Sequence, residues 1–216
     1  MLEVTGHRVI VAVDRSGSMD ERDCDGQSRY SYVGEKLQVF VQEAAKVAFG
    51  SKVTGLFFNS SIHAVDLVSA NDVKDAQKKY GTGGGTGTHL VLEAALAEHL
   101  RNPSIPTMVF LVTDGYPDSK EKVDQEIVSI TQRITKPEDF RIMVLTVGTR
   151  NADLTKWLEH LDSDLGGLGA KFDIVGQNNL QEVDFQEAAA ELIGSTTTNT
   201  EATSGQTGGK VTHRVD

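Results

Sequence analysis

The chain reads as an α/β protein built on a doubly wound, mainly parallel sheet with helices on both faces. Three observations predict this. Arg8–Asp14 (RVIVAVD), Thr107–Asp114 (TMVFLVTD) and Arg141–Gly148 (RIMVLTVG) are short, β-branched apolar runs without alternation, the pattern of strands buried on both faces. Segments with apolar residues at helical spacing lie between them, and strands alternating with helices require crossovers and hence parallel pairing. The length, 216 residues, suits one sizeable domain or at most two small ones.

The remaining elements follow in order. Lys52–Asn59 (KVTGLFFN) is a fourth strand, and Ser61–Val68 follows as its hairpin partner through an Asn-Ser-Ser turn. Ala170–Gly176 (AKFDIVG) reads as a last, short strand, which brings the count to six. Val33–Phe49 carries Leu37, Phe40, Val41, Ala44, Ala45 and Ala48 on one helical face. Leu90–Leu100, Lys122–Ile134, Asp153–Leu161 and Asp184–Ile193 are the other helices. Methionine and aromatic residues within these stripes are assigned to plain core. Residues 1–194 are therefore expected to form the domain. Residues 195–216 form a Ser/Thr/Gly-rich tail with too little apolar surface to offset its ordering entropy. Within the tail, Lys210–Val215 alternates well enough to add as an edge strand to a partner.

Charge and composition exclude several classes. Against 21 Lys+Arg stand 31 Asp+Glu, a net −10. That balance opposes non-specific nucleic-acid binding and docking on an anionic membrane. The tail is electrically neutral, so the whole excess belongs to residues 1–194. No apolar run approaches the roughly 20 residues of a membrane span. The amino-terminal apolar run lacks a basic flank and a cleavage site, so a cytoplasmic location is expected. Cys24 is the single cysteine, which rules out an intramolecular disulfide and a multi-cysteine zinc site.

The chemistry concentrates at strand ends. The first strand closes on Asp14-Arg15-Ser16-Gly17-Ser18, a carboxylate and two hydroxyls at alternate positions where an open α/β sheet presents its ligand crevice. Gly81–Thr88 (GTGGGTGT) is a glycine-rich loop that precedes a helix and offers Thr86 and Thr88. Another buried strand ends in Thr113-Asp114-Gly115. All the donors are oxygens, so a hard divalent cation is favoured, Mg²⁺ first and Mn²⁺ or Ca²⁺ next. With two charged donors, such an ion keeps open positions for water or for a carboxylate of another molecule.

DxSxS after the first strand, a threonine after a Gly-rich loop and TDG after a central strand resemble, in that order, the von Willebrand factor type A (vWA) family. The resemblance runs from about Arg8 to Ile193. It implies a vWA/Rossmann-like, six-stranded sheet with one short antiparallel edge strand, in agreement with the strand count. It also implies a metal-ion-dependent adhesion site held by Asp14, Ser16, Ser18, Thr86 and Asp114, with Thr88 as the rival of Thr86. Between Met19 and the first helix the chain inserts DERDCDGQSRYSY, longer and more acidic than many vWA loops, with a net −3 over Asp20–Asp25. Arg15, Asp20, Glu21, Asp23, Asp25, Thr88, His89 and Tyr116 are the expected partner-binding rim. The alternative for the inserted loop is a solvated polar connection.

Enzyme readings find little support. A dehalogenase-type phosphatase needs a second Asp where Ser16 stands. The glycine loop lacks the lysine of a P-loop, and no GxSxG or HExxH occurs. An EF-hand over Glu21, Asp23, Asp25 and Gly26 fails at its first position and at its twelfth, Tyr32. The expectation is a non-catalytic module that binds a partner's Asp or Glu through a divalent cation. The alternative is a structural subunit of a larger assembly, such as a phage particle or a bacterial multiprotein complex. There the ion mainly orders loops and the tail docks on neighbours.

Overall fold

The structure, a computed structural model, describes residues 4–149 and 152–192. The expectations about residues 195–216, including the edge strand at Lys210–Val215, lie outside the described residues. Strands β1 (Arg8–Asp14), β2 (Val53–Phe58), β3 (Ile62–Leu67), β4 (Thr107–Thr113), β5 (Phe140–Thr146) and β6 (Val175–Asn179) form one sheet in the order β3-β2-β1-β4-β5-β6. All pairs are parallel except β2–β3, so β3 is the antiparallel edge.

Helices α1 (Arg29–Val47), α2 (Ala70–Lys79), α3 (Thr88–Leu100), α4 (Lys120–Arg133) and α5 (Ala152–Ser163) connect the strands, and residues 185–192 are helical as α6. β1 is buried at every position, and its period of two divides the core. Val9, Val11 and Val13 face α1, α2 and α6, while Ile10 and Ala12 face α3, α4 and α5. On the first face Phe110 of β4 meets Phe40 of α1 edge-on at 5.4 Å and Phe185 of α6 at 5.7 Å, and those two stack at 5.1 Å.

Three local expectations are corrected. The last strand runs Val175–Asn179, not Ala170–Gly176, because Ile142 of β5 pairs with Val175 and the register continues to Thr146–Asn179. Its polar Gln177-Asn178-Asn179 reads as loop in sequence but suits a half-exposed edge strand. α1 begins at Arg29 instead of Val33, since the Ser28 hydroxyl accepts the Ser31 N–H at 3.2 Å and starts the helix early. α2 has no counterpart in the sequence reading because it buries only Val73 and Ala76. Its start is marked by a capping box between Ser69 and Asp72.

At the opposite end of the sheet from the sequence motifs, a buried polar cluster joins β1, α3 and β4. His99 Nδ1 lies 3.0 Å from Thr107 Oγ1, to which Arg8 also donates at 3.3 Å. Burial, and then the neighbouring Arg8 guanidinium, hold the His99 pKa below its ordinary 6.5. The unfolded chain therefore takes up the His99 proton at a higher pH than the folded chain, so stability falls as pH drops through about 6.5. His99→Gln is expected to flatten the dependence of the urea midpoint on pH between about 7.5 and 5.5. An unchanged slope would show that His99 does not carry this linkage. Phe110→Ala is expected to cost about 3–5 kcal/mol in equilibrium unfolding, since it opens the aromatic triangle.

Candidate functional site

β1 leads to β2 on one side through α1, whereas the next parallel neighbour on its other side is β4. The β1–β4 boundary is thus the topological switch point, where the two crossovers diverge and leave a crevice at the carboxyl ends of the strands. Asp14 and Asp114 stand on either side of it, at the ends of adjacent strands paired from Arg8–Thr107 to Val13–Val112.

The first motif is organised by Asp14, which is fully buried. Its Oδ1 accepts the Ser16 N–H at 2.7 Å, and its Oδ2 accepts the Thr113 hydroxyl at 2.7 Å. Burial pushes the Asp14 carboxyl up to about 6, although the Thr113 and Ser16 hydrogen bonds pull the other way. Ser16 Oγ lies 3.1 Å from Ser18 Oγ, and Ser18 donates to Asp114 Oδ1 at 2.9 Å. Oxygens from both strand ends are thereby brought into one continuous chain.

The glycine-rich loop is laced to this motif through its backbone. Gly83 N–H donates to Arg15 O at 2.7 Å, and Gly17 N–H to Gly84 O at 3.4 Å. Gly83 and Gly84 adopt φ of +138° and +84°, conformations that side-chain-bearing residues rarely take. Arg15 does not lie free on the rim. Its guanidinium donates to Gly81 O, Asn59 Oδ1 and Ser61 Oγ at 3.2, 3.0 and 3.3 Å, tying the first motif to the β2–β3 turn.

Two residues absent from the sequence-derived site complete the lacing. Asn59 donates to Gly83 O at 2.5 Å and accepts the Gly87 N–H on its own carbonyl at 2.8 Å. Asp118, beyond β4, accepts the Thr86 N–H on Oδ1 at 2.9 Å and returns its own N–H to Thr86 O at 2.9 Å. A Cβ on Gly85 would approach Asp118 Oδ2 to 2.7 Å, so this contact needs the glycine. The Pro-Asp-Ser sequence before α4 is the signal that could have indicated a capped turn there.

The inserted loop folds inward more than a solvated connection would. Asp25 and Gly26 both have positive φ, at 51° and 79°, in a tight turn closed by a Cys24–Gln27 bridge. Cys24 is fully buried in the core, and burial pushes its pKa up. Glu21 and Asp23 converge on Arg29, which also reaches Asp114. Asp20 and Asp25 are exposed and His89 is half-buried, whereas Thr88 is 1% exposed in the first turn of α3 and offers a partner almost no surface. Tyr116 is half-buried against Trp157, with Lys120 Nζ 4.1 Å from its ring centroid. Among the described residues, no group of three or more His, Cys, Asp or Glu side chains gathers as a metal cluster. The donor set at the crevice is two carboxylates and hydroxyls, a type of oxygen set that hard cations take.

The family model for the von Willebrand factor type A domain matches residues 9–188. The chain belongs to that family. This vWA domain is similar in fold to a von Willebrand factor type A protein from Catenulispora acidiphila, at 17% identity and a TM-score of 0.60 over 88% of this chain and 43% of that one. It is similar also to the manganese-loaded TRAP protein of Plasmodium vivax, at 18% identity and a TM-score of 0.57 over 89% of this chain and 73% of that one. A third fold relative is proximal thread matrix protein 1 of the mussel byssus, in a structure with a zinc-occupied MIDAS motif. There the identity is 18% and the TM-score 0.54, over 88% of this chain and 46% of that one. This vWA domain thus spans less than half the length of the first and third of these proteins. Comparison with curated proteins yields no match.

If Asp118 holds the glycine-rich loop in place, Asp118→Ala leaves the Thr86 N–H without its side-chain acceptor and open to water. Hydrogen exchange of the Thr86 amide is then expected to accelerate about tenfold or more with the global unfolding midpoint little changed. Unaltered exchange would remove Asp118 from this role.

Proposed function

We propose that this vWA domain is a protein-interaction module that serves as a subunit of a larger assembly. Its partner-facing surface is the carboxyl edge of the sheet, and a divalent cation held by Asp14, Ser16, Ser18, Thr86 and Asp114 orders the loops there. The observation that carries this reading is the lacing of three separate loops, after β1, before α3 and after β4, into one surface around the switch point. That surface contains converging oxygens but no nucleophile–base pair among the described residues. The donors fit Mg²⁺, Mn²⁺ or Ca²⁺, and the manganese-loaded fold relative supports such an ion in a domain of this architecture. When bound, the ion would supply positive charge to the crevice. The protein's own residues position it: Thr113 and the Ser16 amide orient Asp14, and Asp118 holds the segment that carries Thr86.

A second reading, in which a partner's Asp or Glu completes the ion's coordination, is favoured by one specific feature. Asp114 is already paired with Arg29, so the negative charge available to an ion is less than two carboxylates would provide. An ion there retains attraction for an incoming carboxylate. Among the described residues no helix is long and apolar enough to cross a membrane.

Co-purification of tagged protein with its assembly, with Mg²⁺ and with EDTA, separates the readings. If the ion orders loops, EDTA and Asp14→Ala each weaken the assembly severalfold without abolishing it. If the partner's carboxylate is a ligand, both abolish it. Unchanged affinity in both conditions, with the fold intact, would exclude any role for an ion, and phosphoester turnover lost in Asp14→Asn would overturn the non-catalytic reading.

A further inference from the structure

Arg29 joins the inserted loop to this site through Asp23 and Asp114. It opens α1, its side chain is 8% exposed, and it carries three carboxylates. Nη1 donates to Asp114 Oδ2 at 2.9 Å, Nε to Asp23 Oδ1 at 2.9 Å, and Nη2 reaches Asp23 Oδ2 at 2.5 Å and Glu21 Oε2 at 2.7 Å. The Asp23 pairing is the bidentate fork that suits a guanidinium best, and the Asp114 contact is a single bond from the remaining arm. Asp114 is the most enclosed of the three, at 1% side-chain exposure against 31% for Asp23 and 62% for Glu21. A passage is kept for the side chain: Gly148, beyond β5, has φ of +79°, and a Cβ there would collide with Arg29 Nε.

Asp114 thus has one oxygen on Ser18, inside the crevice, and the other on a built-in cation. A divalent ion drawn to the crevice meets a positive charge already bonded to one of its two charged donors. Coulomb repulsion between the two cations is strong in a partly buried site. The acidic insertion supplies the outlet, because Glu21 and Asp23 can take up the guanidinium without leaving it unpaired.

We propose that Arg29 is a resident counter-cation that competes with the divalent ion for Asp114. The ion's affinity is then set by how readily Arg29 is transferred to Asp23 and Glu21 on the inserted loop. This rests on the proposed cation site and adds its regulation. It gives the acidic insertion a task distinct from touching a partner: it holds the displaced charge, so occupancy of the crevice is coupled to the shape of residues 20–28.

The test is Mn²⁺ titration followed by electron paramagnetic resonance, with the Mg²⁺-dependent shift in melting temperature as a second readout. Wild type, Asp14→Asn, Arg29→Gln, Asp23→Asn and Asp20→Asn are compared. Asp20 is on the same loop and exposed, so its substitution removes the same charge from a residue with no described contact to Arg29. Arg29→Gln is expected to lower the Mn²⁺ Kd about tenfold or more and to enlarge the Mg²⁺-induced rise in melting temperature. Asp23→Asn, which removes the outlet, is expected to raise the Kd about threefold or more beyond the effect of Asp20→Asn. Should Arg29→Gln fail to fold, the comparison of Asp23→Asn with Asp20→Asn decides alone. Equal or weaker Mn²⁺ binding by folded Arg29→Gln, or indistinguishable Asp23 and Asp20 variants, overturns the inference while wild-type binding lost in Asp14→Asn leaves the cation site standing. Absence of binding by wild type itself overturns both.

Discussion

The functional end of this molecule depends on one constraint, the parallel pairing of β1 with β4 across the switch point. Both strands are buried throughout, so their register is held by packing on two faces at once. A one-residue slip would turn every core side chain to the wrong helix layer. It would also pull Asp14 away from Thr113, and Ser18 away from Asp114, which meet only because the strands end together. The core and the crevice are therefore specified by the same register.

Burying carboxylates at such an edge is costly unless each oxygen has a partner. The domain meets that requirement differently for its two acids. Among the described residues no cationic side chain bonds Asp14, which relies on hydrogen bonds from Thr113 and Ser16, so burial dominates and its pKa rises. Asp114 has a guanidinium, and the hydrogen bonds of Asp23 and Asp114 in turn raise the pKa of Arg29 and keep it charged. The acid excess noted in the sequence is thus partly consumed inside the fold: Glu21 and Asp23 compensate an internal cation instead of presenting bare charge to solvent.

Much of this was legible in the sequence, for reasons that are local. Unbroken β-branched runs identified β1, β4 and β5, and DxSxS with TDG at strand ends marked Asp14, Ser16, Ser18 and Asp114. α2 escaped because a helix with two buried residues has no apolar stripe to read, and β6 was displaced because an edge strand tolerates Gln-Asn-Asn. Arg29 was passed over for another reason. It lies 85 residues from Asp114, and a lone arginine before a helix carries no pattern that names a distant acid. Asp118 and Asn59 were hidden likewise, 32 and 24 residues from the backbone groups of Thr86 and Gly83 that they hold.

By itself the sequence determined the number and most of the places of the strands, the layering of helices around them, and the all-oxygen chemistry of the motifs. These depend on periodicity and on neighbours a few residues apart, which the order of residues records directly. The tertiary structure decided that Arg15 braces the glycine loop, that Thr88 is core, that Cys24 is buried and that Arg29 shares Asp114 with the crevice. Each of these depends on distances between segments that are remote along the chain. Electrostatic and hydrogen-bonding partners act over a few ångströms, and only the closed sheet brings those groups within that range.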